Sequence, residues 1–199
     1  DEQGMFGHDV VTGYRGKGFN VINTLSHMAW SISEIAGAKI PDESWKLSLE
    51  QIRQSIDPNG GIRYWTMKNT GTADASLRTS SMALALLLKS GEEKLKDRFC
   101  NYLDQYRART REAHAVGSMG MLLAPAVLWQ HDRQAYQRFV DEWRWYLALT
   151  QNHRGQIRYI GGKKNNGGDG YLGKHRMACA IALMMLSPPQ EKLRIFRSN

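Results

Sequence analysis

Between Phe19 and Ala36 the apolar residues Ile22, Leu25, Ala29, Ile32 and Ala36 recur at a helical period, and Gly37 and Pro41 end the run. Trp45, Leu49, Ile52 and Ile56 mark one face of a second helix, closed by the turn cluster Asp57-Pro58-Asn59-Gly60-Gly61. Ala75 to Leu88 reads as a helix apolar nearly all round, stopped by Ser90-Gly91. Leu95, Phe99, Tyr102, Leu103 and Tyr106 then predict an amphipathic helix. Met119 to Trp129 is another apolar helix, expected to kink at Pro125. Asp132 is placed to cap the next, whose face is Tyr136, Phe139, Val140, Trp143 and Tyr146. Tyr171 to Leu186 is again apolar on all sides and stops at Pro188-Pro189, and Leu193 and Phe196 mark a short last helix. No stretch alternates as a strand does, although Ile62-Arg63-Tyr64-Trp65 and Ile157-Arg158-Tyr159 suit brief extended pieces.

The helices alternate in character. Those around Met82, Met121 and Ala180 are apolar all round, which predicts burial on every side. Those around Leu49, Tyr102 and Phe139 carry one apolar stripe and belong outside. The expected fold is all-α: repeated helical hairpins in inner and outer layers, about seven or eight helices, forming a partial ring. A shift of 95 residues aligns the chain with itself without gaps. Gly60, Ile62, Arg63 and Tyr64 fall on Gly155, Ile157, Arg158 and Tyr159; Lys68 falls on Lys163 and Asp74 on Asp169. Met82, Ala83, Ala85 and Leu88 fall on Met177, Ala178, Ala180 and Leu183. This period spans two hairpins, so each hairpin is one repeat unit. A weaker echo relates Gly18 and Trp30 to Gly117 and Trp129. Turns after inner helices are short, and segments leading into them (1–18, 57–73, 108–117 and 152–169) are long. Parallel inner helices would gather the long segments, and their own partly positive N-termini, on one rim.

Gly-Gly-Ile-Arg, a spaced lysine, an aspartate and an alanine-rich helix resemble the repeat of the α/α-toroid superfamily, the terpenoid cyclase and protein prenyltransferase group. The resemblance covers about residues 57–90 and 152–187. Residues 7–37, with Gly7-His8, Thr12-Gly13 and Phe19-Asn20, are similar to an uncharacterised family of bacterial toroid domains of unknown function. The resemblance implies a single toroid-like domain over 1–199, part of a longer protein, since a complete toroid has more helices. The characterised families' catalytic marks are missing. No Asp-X-Cys is present, Leu172 follows Tyr171 where the prenyltransferase zinc histidine would stand, and neither Asp-X-Asp-Asp nor the thioester motif occurs.

Composition narrows the chemistry. The 199 residues are 42% hydrophobic, enough for one real core. Net charge is +8, which favours anionic partners: an anionic small molecule, a glycan, or the rest of the parent chain. No nucleic-acid module and no membrane span is evident. No export signal opens the chain; if one has been removed the domain is secreted or periplasmic, otherwise cytoplasmic. Cys100 and Cys179 read as buried free thiols, with a disulfide as the alternative. No metal pattern and no cofactor fingerprint is present, the glycine-rich Asn165-to-Gly170 run included.

The rim holds the candidate residues. Arg15, Arg63, Lys68, Arg158 and Lys163, with Tyr14, form the expected ligand-binding set. Pairing of these cations with the aspartates is the structural alternative. The leading expectation is a scaffold or binding domain. The alternative is a lyase or hydrolase acting on carbohydrate, with His8, His114, Asp74 and Asp169 as acid–base groups. Asp74 and Asp169 would otherwise simply cap helices. His27 reads as a packing residue, His131 and His153 as turn residues, and Trp143, Trp145 and Tyr146 as outer-helix packing.

Overall fold

A computed structural model describes residues 19–63, 92–112, 118–158 and 174–190. Among them are six α-helices: α1 (Asn20–Ile35), α2 (Asp42–Gln54), α3 (Glu93–Gln105), α4 (Ser118–His131), α5 (Arg133–Thr150) and α6 (Lys174–Leu186). Short 3-10 helices follow at Arg107–Glu112 and Pro188–Gln190, and no strand is present among the described residues. The helix expected over 75–88 and the short one at Leu193 and Phe196 lie outside the described residues, so six helices stand where seven or eight were expected.

Two hairpins carry the architecture. In the first, α1 ends in a Schellman motif, with Gly37 at φ 93°. The Ala38 amide donates to the Ser33 carbonyl at 2.9 Å, and the Gly37 amide to Glu34 at 3.0 Å. In the second, the turn is Asp132 alone. Its carboxylate accepts from the Gln134 and Ala135 amides at 2.8 and 3.0 Å, capping α5 as the sequence predicts. In each hairpin a tryptophan of the first helix meets an aromatic ring of the second edge-on. Trp30 meets Trp45 at 5.5 Å, and Trp129 meets Tyr136 at 5.1 Å.

The core centres on α4, where Met121, Ala124, Val127 and Leu128 are buried. Phe99 and Leu103 of α3, Phe139 and Tyr146 of α5, and Ile181 and Met185 of α6 join them in one cluster. In a second, smaller cluster Phe19, just before α1, and Ile22 and Leu25 of α1 pack with Met119, Leu122 and Leu123 of α4. α3 and α5 run level. Asp104 accepts from Arg138 (Nε at 3.0 Å, a second nitrogen at 2.7 Å), and the Trp143 indole donates to the Arg107 carbonyl at 2.9 Å. The Arg111 guanidinium lies 4.6 Å over the Tyr146 ring. α2 instead meets the beginning of α3 with its own end: Arg53 pairs with Glu92, and Arg98 donates to the Asp57 carbonyl at 3.1 Å.

Three expectations need correcting. α6 is not buried on every side, because Leu183 and Leu186 are 61% and 58% exposed and Cys179 is exposed beside them. An all-apolar helix is covered all round only where neighbours surround it, and among the described residues α6 packs chiefly on α4. The cysteines are both free, but only Cys100 is buried. Trp143 and Tyr146 pack as expected, while Trp145 is 46% exposed.

Candidate functional site

The 95-residue repeat is reproduced at the level of single hydrogen bonds. After α2, Ile56 and Ile62 form an isolated bridge; after α5, Gln151 and Ile157 do the same. The Asp57 amide donates to the Gly61 carbonyl at 2.8 Å, and the Asn152 amide to Gln156 at 3.0 Å. Gly60 donates to Asp57, and Gly155 to Asn152, both at 2.9 Å. The side chains of Asp57 and Asn152 accept from the amides two residues on, at 3.1 and 2.9 Å. Gly60 and Gly155 take φ of 102° and 75°, a left-handed conformation that glycine adopts without steric cost. Arg63 and Arg158 therefore leave equivalent turns in equivalent places, their amides donating to the Ser55 and Thr150 carbonyls at 3.0 and 2.7 Å.

The first turn is tied to the start of α1. Asn20 donates to the Arg63 carbonyl at 2.8 Å and accepts from the Ser55 hydroxyl at 3.2 Å. Here the turn after one helix lies beside the N-terminus of its partner. The two arginines are not equally available. Arg63 Nε is 3.9 Å from Asp57 Oδ2, with both side chains largely covered. At the second copy the acid is replaced by Asn152 and Arg158 is exposed, with no ion pair to a carboxylate among the described residues. One copy neutralises its own cation and the other leaves it open.

Of the other candidates, His8, Tyr14, Arg15, Lys68, Asp74, His114, Lys163 and Asp169 lie outside the described residues. All four of the acid–base candidates are among these.

Away from these turns, a histidine–aspartate pair that spacing could not reveal sits where α4 gives way to α5. His131 Nε2 lies 2.7 Å from Asp97 Oδ1 of α3, across 34 residues of sequence. A cavity of about 220 Å³ there is lined by Asp97, Cys100, Asn101, His131 and Asp132. Its groups are already engaged: His131 with Asp97, and Asp132 with the first amides of α5. Burial, then the Asp132 and Asp104 charges, pushes the Cys100 thiol up to about 12, far from a reactive thiolate. His27 is equally committed, 1% exposed and 2.7 Å from the Ser48 hydroxyl through Nδ1. Among the described residues no group of three or more His, Cys, Asp or Glu could hold a metal ion. No described helix is long and apolar enough to cross a membrane.

A family model described as a domain of unknown function, DUF6288, matches residues 1–196. No curated protein and no solved structure matches the chain.

Proposed function

We propose that this chain, which belongs to the DUF6288 family, is a scaffold or binding domain whose basic rim receives an anionic group. That group belongs to a small molecule, a glycan or a neighbouring domain. In this reading the hairpins form an open arc of the α/α-toroid kind, and Tyr14, Arg15, Lys68 and Lys163 extend the rim. The observation that carries it is the exposed Arg158, standing on a copy of the turn that at Arg63 holds its own counter-charge. An open guanidinium on a rigid turn offers a carboxylate or phosphate a planar pair of donors.

Retention on a heparin or phosphocellulose matrix tests this at fixed pH. Arg158→Ala should elute at lower salt than the wild type, and Arg63→Ala should shift far less. Asn152→Asp, which installs the first copy's acid in the second, should mimic Arg158→Ala. Unchanged elution of both Arg158→Ala and Asn152→Asp would remove the rim as an anion site.

A further inference from the structure

The two copies of the repeated turn share a backbone, but their side chains serve different ends. In each, residues 57–60 and 152–155 close a β-turn through the glycine amide. In the first copy the side chains hold the turn. Pro58 presets the backbone at its second position. Asp57 accepts from the Asn59 amide at 3.1 Å, and Asn59 Oδ1 faces the Gly61 amide at 3.5 Å. In the second copy Asn152 Oδ1 alone accepts from both corresponding amides, Arg154 at 2.9 Å and Gln156 at 3.0 Å. Positions 153 and 154 are thereby released from holding the turn, and they carry His153 and Arg154.

The differences run in one direction. The first turn, residues 57–63, holds one acid and one base; the second, residues 152–158, holds two bases, a histidine and no acid. The first is packed against the molecule: Gly60, Gly61 and Ile62 are buried, and Arg98 of α3 donates to the Asp57 carbonyl. The second protrudes, with residues 153–156 all exposed. From residue 143 to residue 158 there are three arginines and no acid.

Shape restricts the partner. Arg158 stands at the foot of the second turn, its amide on the Thr150 carbonyl at 2.7 Å, and Arg154 stands at the tip. At the rise of an extended chain the two backbones are roughly 7 to 10 Å apart. A protruding tip does not enclose a small ion, because small-molecule sites are concave. Separated guanidinium groups instead match anionic groups repeated along a chain. Residues 150–158 include no Phe, Tyr or Trp on which nucleic-acid bases would stack, while the exposed amides of Gln151 and Gln156 suit sugar hydroxyls.

We propose that the turn at 152–158 binds an extended anionic glycan, Arg154 at the tip and Arg158 at the foot each meeting one of its sulfate or carboxylate groups. The proposal rests on the rim reading and adds to it a second arginine and one class of partner.

Calorimetric titration of the full chain with a heparin octasaccharide tests this, against a heparin disaccharide, inorganic sulfate, poly-L-glutamate and oligodeoxythymidylate. The octasaccharide should bind tightest of the five. Arg154→Ala and Arg158→Ala should each weaken it by about three- to tenfold. Each should also lower the slope of log affinity against log salt by about one. His153→Pro combined with Arg154→Asn rebuilds the first copy's tip, and should weaken binding as Arg154→Ala does without lowering the melting temperature. Weakening by Arg158→Ala but not by Arg154→Ala, or a disaccharide or sulfate that binds as tightly as the octasaccharide, would reduce the site to a single anion: the rim reading would stand and this proposal would fall. Tighter binding of poly-L-glutamate or of the oligonucleotide would overturn it in favour of an acidic protein or a nucleic acid, and absence of octasaccharide binding would overturn it outright. Indifference of all five ligands to both arginine substitutions would remove the rim reading as well.

Discussion

His27 shows what burial does to one titratable side chain. It lies within 5.2 Å of the Trp30 ring and 6.4 Å of the Trp45 ring, and burial lowers its pKa to about 4. In the unfolded chain it titrates near 6.5. Between these values the unfolded state binds more protons, so this contribution to stability is complete above about pH 6.5 and is lost as pH falls towards 4. The loss amounts to about 3 kcal/mol. Thermal melts from pH 7 to pH 4 should show it, and His27→Asn should be less stable at pH 7 but have a flatter profile. An unaltered profile in His27→Asn would assign the acid sensitivity to other groups. That His27 packs was legible from its mid-helix position; its partner Ser48 was not, being 21 residues away on another helix. The His131–Asp97 pair was hidden for the same reason. The unequal state of the two arginines, by contrast, was readable, since Asp57 falls on Asn152 in the repeat.

At the scale of elements, the repeated turn is where pattern and structure agree most closely. Self-alignment located both copies, and both fold with the same bridge and the same amide pairing. Their glycines are not equally demanding. A Cβ at Gly60 would meet the Arg98 Cγ at 3.4 Å and the Arg98 carbonyl oxygen at 3.5 Å, with φ at 102°. At Gly155 it would meet, among the described residues, only the Gln151 side-chain nitrogen at 3.6 Å, with φ at 75°, nearer the left-handed helical well. Gly60→Ala should therefore cost about 2 kcal/mol and Gly155→Ala about 1 kcal/mol in urea unfolding. Equal costs would mean that contact with α3 adds nothing at the first turn. Helix boundaries were also legible where a stop signal stood, at Gly37, Asp132 and Pro188. What covers each helix was not. Apolar content predicts that α6 can be buried, whereas burial itself depends on which neighbours arrive.

For the molecule as a whole, the sequence conveyed the all-α class and the hairpin repeat, but not which faces stay open. Among the described residues the exposed large apolar side chains sit on α1, α2, α5 and α6, and the one exposed thiol lies on the last of these. Its counterpart, Cys100 of α3, is buried facing the turn at Asp132 and held far from ionisation. At pH 8 the Cys100 thiol is therefore held almost wholly protonated. Alkylation should therefore proceed in two well-separated phases, a rapid one at Cys179 and a slow one at Cys100, resolved by peptide mass spectrometry. Comparable rates at both sites would mean that the α3–α5 seam opens freely. The slow phase times how often the centre of the protein comes apart, so the native chain carries its own stopwatch for opening, with no label added.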